Sequence, residues 1–365
     1  MRTEELVKIA KRRKLDLLLV RDPANIRALT GINCDNAVLT VERGEKVERV
    51  EIYTDFRYVP MVHRVAPELK CRDIRRLGVF PKGKRRPRRL LKIGYESSVS
   101  HAQFIVWQKK FPKADFVDIM KDLSAIRAVK TPAEIAGLRA AEKLNCDIWN
   151  AARQKFRAGL TEREMARIIQ KMMIEKGEGE AFDTIVCVGK NAAECHHEPD
   201  DTVWNGREPV LVDMGVKLNG FCSDLTRTIK PGECARTESQ RRRGVRKSGL
   251  YLYWKVYDLV LEANEAAIAA AKPGMTGKQL DKVARDVIRK GGFGKCFGHS
   301  LGHGVGYEIH EAPYASKKGE MVLKPGMLVT IEPGIYLEDN LGVRIEDLVL
   351  ITATGCEVLS TTAAK

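Results

Sequence analysis

The sequence predicts an α+β chain in two parts, a smaller α/β domain over residues 1–125 and a larger domain over 126–365 in which one supersecondary unit is used twice. Three observations lead there. Short apolar strands alternate with helical patterns up to about residue 125, a helix-start signature opens the second part at Thr131-Pro132, and the second part repeats its own order of helix, histidines and acid-ended strand.

At 365 residues, 44% hydrophobic and 30% charged, the chain is long enough for two real cores and has the composition of an ordinary folded protein. Collagenous, membrane and wholly disordered classes are excluded on that ground. The opening MRTEELVKIAKRRK lacks an apolar core segment of a signal peptide, and no other run approaches a membrane span, so the expectation is a cytoplasmic protein without membrane contact. Nine cysteines are scattered without a C-x-x-C pair, which fits reduced thiols and argues against a thiolate zinc site. The net charge of +15 is concentrated in KGKRRPRRLLK (82–92) and RTESQRRRGVRK (236–247). Neither run interleaves aromatic residues for base stacking, so solvated basic loops are expected there rather than a nucleic-acid surface.

In the first part, TEELVKIAKRRK has helical periodicity, and DLLLV (16–20), RVEIYT (49–54), KIGYE (92–96) and DFVDI (115–119) read as strands. The boundary lies in KDLSAIRAVKTPAEIAGLRAAEKLN. There Thr131, Pro132 and Glu134 stand at the N-cap, first and third positions of a long amphipathic helix.

The second part repeats itself. AGLTEREMARIIQKMMIEKG (158–177) and PGMTGKQLDKVARDVIRKGG (273–292) share a glycine, a capping threonine (Thr161, Thr276), an acid or amide three residues on (Glu164, Gln279), a helix and a glycine stop. Histidines follow each copy: His196 and His197, then His299, His303 and His310. Next comes an apolar strand ending in an acid, VLVDMG with Asp213 and LVTIEPG with Glu332, and a further acid follows at Asp224 and Glu346. Two half-sites facing each other across a pseudo-two-fold axis are the expectation.

Within VDMGVKLNGFCSDLTRT, paired residues of a hairpin with a two-residue turn differ by an odd index, while one strand face repeats every two residues. Asp213 and Asp224 therefore share a face whether the turn is Leu218-Asn219, which opposes them directly, or Asn219-Gly220, which sets them diagonally. Like charges so placed repel, and Asp213 follows Leu211-Val212 in a strongly apolar strand where an unpaired carboxylate is expensive. Something positive is needed between them. FGHSLGHGVGYEIHEAP (297–313) brings three histidines among glycines too dense for a helix, a composition suited to backbone lying close to a ligand. In GVRIEDLVL, Arg344 and Glu346 fall on one strand face, so the guanidinium is expected to orient that carboxylate from behind. Asp213, Asp224, Glu332 and Glu346 total four negative charges, which two divalent cations balance. With His303 as a neutral nitrogen ligand, such a set suits Mn²⁺, Co²⁺ or Zn²⁺. A pair of cations sharing carboxylates acidifies a water held between them, and the implied reaction is hydrolysis.

VDMGVKLNGFCSDLTRT, GHSLGHGVGYEIHEAP, KPGMLVTIEPGIY and GVRIEDLVL together resemble the motif set of the pita-bread metallopeptidases, the group of Xaa-Pro dipeptidases (prolidases), aminopeptidase P, methionine aminopeptidase and the non-peptidase creatinase. LLLVRDPANIRALTGINCDNAVLT and YTDFRY resemble the creatinase-type N-terminal domain, so the likeness spans nearly the whole chain. It implies a pita-bread catalytic domain over 126–365, with Asp213 on one metal, Asp224 and Glu346 bridging both, and His303 and Glu332 completing the second. It further implies Glu332 as proton acceptor, His196 on the substrate, His310 steadying the tetrahedral intermediate, and His299 near the substrate pocket. Dimerisation is common among such relatives. Two features depart from the pattern: Glu194-Cys195 precedes His196 where Leu-Pro is frequent, with His197 in place of a small residue, and ECARTESQRRRGVRKSGLYLYWK is longer and more basic than the expected connection.

The expected function is a metal-dependent exopeptidase cleaving between an N-terminal residue and proline in di- or oligopeptides, using a hydroxide between two divalent cations. An imino-acid amide lacks an N–H and has restricted geometry, so it calls for a dedicated pocket. Dipeptidase and aminopeptidase both remain open. One alternative is a creatinase-like amidinohydrolase, a branch that works without the ligands that are intact here. Another is a non-catalytic binding protein of the same fold that uses its basic loops.

Overall fold

A computed structural model describes residues 1–43, 48–78, 90–230 and 251–363. The basic run 236–247 lies outside the described residues, as does 82–92 except for its last three positions. Two compact units make up the chain, Met1–Arg127 and Ala128–Lys365.

In the first unit six strands form one sheet in the order β4-β3-β2-β1-β5-β6: β1 (Leu17–Val20), β2 (Ala37–Glu42), β3 (Arg49–Thr54), β4 (Lys70–Asp73), β5 (Leu91–Tyr95) and β6 (Ala114–Asp118). The expected strands and the first helix, Thr3–Arg13, are all present. β5 and β6 are parallel and joined through the helix His101–Lys110, as a parallel pair requires a crossover. Both sheet faces are buried, because Leu18 and Val20 pack into one apolar cluster and Leu19 into another. That is why LLLV shows no polar alternation.

The second unit carries the repeat. Capping boxes close the helices Pro132–Arg153, Glu162–Lys176 and Gly277–Lys290, with Thr131, Thr161 and Thr276 each bonded reciprocally to Glu134, Glu164 and Gln279. The helix Tyr251–Ala270 packs beside the third of these, and Tyr257, Val260, Leu280 and Ala284 share one core cluster. In the first copy β7 (Ile185–Val188), β8 (Val210–Met214) and β9 (Leu225–Ile229) form an antiparallel sheet. In the second, β10 (Gly302–Gly304) pairs β11 (Glu311–Ala315), β13 (Gly334–Leu337) pairs β14 (Leu341–Arg344), and β12 (Leu328–Ile331), β15 (Asp347–Ile351) and β16 (Cys356–Val358) form a three-stranded sheet.

Alternation along β8 and β12 sets the polarity of each copy. Val210, Val212 and Met214 pack with Met165 and Ile169 of their helix, and Val329 and Ile331 pack with Leu280, Ala284 and Ile288 of theirs. The opposite face of each strand presents Asp213 in one copy and Thr330 followed by Glu332 in the other.

The β8–β9 register pairs Asp213 with Thr226 and continues to a bridge between Leu218 and Phe221. The turn is therefore Asn219-Gly220, the diagonal arrangement of the two expected. Both turn residues have positive φ, 51° and 75°, the type I′ geometry that matches the strands' own twist. Gly220→Ala, which places a Cβ in the left-handed region, is expected to lower stability by about 1 kcal/mol. A urea midpoint equal to wild type would show that this turn is not under conformational strain.

Candidate active site

The strands deliver their acids to one place. Asp213 stands near the end of β8, Asp224 just before β9, Glu332 just after β12 and Glu346 just before β15. One oxygen each from Asp213, Asp224 and Glu346 all lie within 4.8 Å of one another. His303, in the middle of β10, places Nε2 3.2 Å from Glu332 Oε1 and 3.5 Å from Asp224 Oδ2. Asp213, Asp224, Glu332, Glu346, His196, His299, His303, His310 and Arg344 all line one cavity of about 540 Å³.

Burial makes this crowding costly. Asp224 and Glu346 are 4% and 1% exposed, and both carboxyls are held far above the usual carboxylate pKa range by burial first and then by neighbouring acids, Glu346 and Asp213 around Asp224, Glu332 and Asp213 around Glu346. Glu332 goes the other way: burial opposes ionisation, but the hydrogen bond and charge of His303, with His299 and Arg344 beyond, hold its carboxylate well below the usual range. Among the described residues, Asp213 Oδ1 and Glu346 Oε1 are buried with no hydrogen-bond partner. Buried polar atoms are rarely left so, and two orphaned carboxylate oxygens facing other acids are a site for cations.

The histidine fits that role. Its Nδ1 lies 3.2 Å from Gly304 O, a group that only accepts, so Nδ1 carries the proton and Nε2 presents its lone pair to the acids when the ring is neutral. A donor set of carboxylates and imidazole suits borderline-hard divalent ions. His310 packs edge-on against His303 with ring centroids 4.3 Å apart. Burial, then the proximity of His303 and His196, pushes its imidazole toward the neutral form. His196 is exposed at the rim.

Arg344 departs from expectation. β14 ends at Arg344 and β15 begins at Asp347, so the chain changes sheets between Arg344 and Glu346 rather than continuing one strand face. The guanidinium donates instead to Asp213 Oδ2 at 2.7 Å, to Thr226 Oγ1 at 3.1 Å and to Tyr336 Oη at 2.7 Å. Its hydrogen-bonded link to Glu346 runs through Thr226, whose hydroxyl donates to Glu346 Oε2 at 2.8 Å. His299 lines the same cavity. Its Nδ1 donates to Ser300 O at 2.8 Å, and its Nε2, 2.9 Å from Tyr336 Oη, accepts the phenol proton left after that oxygen has accepted from Arg344. Both ring nitrogens are committed, so His299 offers the cavity its ring as a wall.

Sequence reasoning passed over Thr226, Thr330, Tyr336 and Glu142. Thr330 Oγ1 donates to Glu332 Oε1 at 3.0 Å and accepts from His303 N at 3.0 Å. Thr226 and Thr330 each stand two residues from an acid of the cluster, so period-two spacing was a usable signal. Glu142, on the helix Pro132–Arg153, accepts from Asp224 N at 3.2 Å and Ser360 Oγ at 2.8 Å, and burial pushes it up to about 7 despite those bonds. Nothing local in AAEKLN marks it.

A second cleft of about 590 Å³ lies over Lys155, Arg157, Glu164 and Arg167. Its acid is already spent on the Thr161 capping box, and the cleft brings no set of catalytic groups together.

Comparison with known proteins agrees with this architecture. The family described as "Metallopeptidase family M24" matches residues 136–353, and "Creatinase/Prolidase N-terminal domain" matches 2–129. An Xaa-Pro dipeptidase from Pyrococcus furiosus is 35% identical over 368 residues, covering 99% of this chain and 98% of that protein. Among solved structures, an Xaa-Pro dipeptidase from Bacillus anthracis superposes with a TM-score of 0.83 at 28% identity, covering 98% of this chain and 96% of its own. An X-Pro aminopeptidase from Thermotoga maritima gives 0.77 at 30% identity, covering 96% and 97%.

Proposed function

The chain belongs to metallopeptidase family M24, a pita-bread unit behind a creatinase/prolidase N-terminal domain, and from that premise we propose that it is an exopeptidase hydrolysing the bond between an N-terminal residue and proline. The observation that carries the reading is the pair of buried carboxylate oxygens without partners among the described residues, on Asp213 and Glu346, in a cavity also lined by Asp224, Glu332 and His303. These five residues would hold two divalent cations, Mn²⁺ or Co²⁺ first and Zn²⁺ as the alternative. Cations bound there supply Lewis acidity near neutral pH and neutralise the acids.

The chain's own groups do the rest. Glu332, held ionised beside His303, accepts the proton of the attacking water and returns it to the leaving imino nitrogen. His310 and His196, at the open side of the acid cluster, donate hydrogen bonds to the carbonyl oxygen as it becomes tetrahedral. Arg344 orients Asp213, and Thr226 orients Glu346. The relatives' printed names divide between dipeptidase and aminopeptidase, and both act on Xaa-Pro bonds by those names. A creatinase-like amidinohydrolase is disfavoured because the full set of acids and His303 is present and converges.

The test is hydrolysis of an Xaa-Pro dipeptide and an Xaa-Pro-Yaa tripeptide by metal-stripped protein, with and without added Mn²⁺ or Co²⁺. Cleavage restored by cation is expected, and the faster substrate separates dipeptidase from aminopeptidase. Failure to cleave either peptide under every cation would sink the peptidase reading.

A further inference from the structure

We propose that Glu162 and His197 form a latch that holds the segment Cys195–Asp200, and His196 with it, against the cavity rim, so that His197 is a positioning residue for substrate. The role in substrate binding rests on the peptidase reading above.

Glu162 opens the helix Glu162–Lys176 and is fully buried. A buried carboxylate persists only when its oxygens are satisfied, and this one is saturated. Its Oε1 accepts from Val188 N at 2.6 Å and Asn191 Nδ2 at 2.9 Å, and its Oε2 lies 2.8 Å from His197 Nε2 and accepts from Asp200 N at 3.1 Å. One side chain thus fastens both ends of the stretch that carries His196. The incoming end is held at Val188 and Asn191, the outgoing end at His197 and Asp200. Between these anchors Cys195, His196, Glu198 and Pro199 line the cavity wall in irregular backbone.

His197 is the only side chain of the outgoing end among these contacts. Its Nδ1 lies 3.3 Å from Glu194 Oε2, so the ring is held between two acids. Burial works against protonation there, but Glu162, then Glu194 and Asp200, hold the imidazole's pKa above its ordinary value and favour the charged, doubly donating form. Oxygen and nitrogen atoms of Glu162, His197 and Asp200 also lie close enough together to ligate an ion. A carboxylate has about four lone-pair sites, and N–H donors occupy all four here, so a cation would have to displace them.

The experiment compares His197→Ala with His197→Gln, whose amide keeps one donor toward Glu162, in the full chain. Amide hydrogen exchange is measured at Val188 and Asp200, together with kcat and KM on the better Xaa-Pro substrate. In His197→Ala, exchange at Asp200 and KM are each expected to rise about tenfold, the size of a lost charge-assisted hydrogen bond, with kcat within about twofold of wild type. His197→Gln is expected to recover part of both. Exchange at Asp200 unchanged in both variants overturns the latch, whether or not the protein cleaves peptides. Faster exchange with KM unchanged, or with the loss falling on kcat alone, overturns the positioning role. If wild type itself cleaves no peptide, the peptidase reading and the positioning role that rests on it both fall, while exchange still decides the latch.

Discussion

Asp224→Asn is expected to abolish cleavage of Xaa-Pro peptides while leaving the cation-free protein at least as stable as wild type. The two effects have one cause. Asp224 is 4% exposed, and burial together with Glu346, Asp213 and Glu332 penalises its charge. Asparagine has nearly the same shape and removes that charge, so the folded state loses a repulsion and keeps its packing. What disappears is the ability to hold cations. A ligand at a hundred times its Kd stabilises a folded protein by about 2.7 kcal/mol, and the rise in Tm that Mn²⁺ gives wild type should be absent in the variant. Losing the charge stabilisation of the reaction, about 4 kcal/mol, corresponds to a fall in kcat/KM on the order of a thousandfold. Thermal melts with and without Mn²⁺, beside peptide hydrolysis, check both parts. A variant that keeps the Mn²⁺ shift and the activity would remove Asp224 from the metal site.

Arg344→Met should do the opposite, destabilising the protein before any cation is added. Arg344 is 3% exposed and holds Asp213, Thr226 and Tyr336 at once. Methionine fills much of the stem's volume but leaves Asp213 beside three other acids without its guanidinium partner. Breaking a buried pair by removing one partner typically costs about 3–5 kcal/mol. For a unit of this size each kcal/mol shifts Tm by about 2–4 °C, so a fall of roughly 10 °C is expected. Arg344→Lys should recover only part of it, because an ammonium cannot reach three partners as a planar fork does. If Arg344→Met melts within about 2 °C of wild type, the guanidinium is not what compensates Asp213.

The acid cluster also has a different charge balance from the one counted along the sequence. Four carboxylates alone match two divalent cations, but the cavity includes Arg344, bonded to Asp213.

Much of this was legible before any coordinates. The three capping boxes are contacts within four residues, so Thr131-Glu134, Thr161-Glu164 and Thr276-Gln279 could be read directly. The shared face of Asp213 and Asp224 follows from the parity of strand pairing, which holds in either register of a two-residue turn. The order of helix, histidine and acid-ended strand, read twice, already described two halves of one architecture, and each half gathers its own core.

Tertiary structure decided what parity and local contacts leave free. It chose the Asn219-Gly220 turn, making the two acids diagonal, because that register gives both turn residues the positive φ of a type I′ hairpin. It turned Arg344 from Glu346 to Asp213 by ending β14 between them, and it committed both nitrogens of His299 through Tyr336 and Ser300. It brought Glu142 behind Asp224 and Glu162 behind His197. The pairs Glu162–His197, Glu142–Asp224 and Asp213–Arg344 join residues 35 to 131 positions apart. Strand and helix periodicity fixes only which face a residue occupies, and which other element meets that face is set by how the sheets and helices of the folded unit pack.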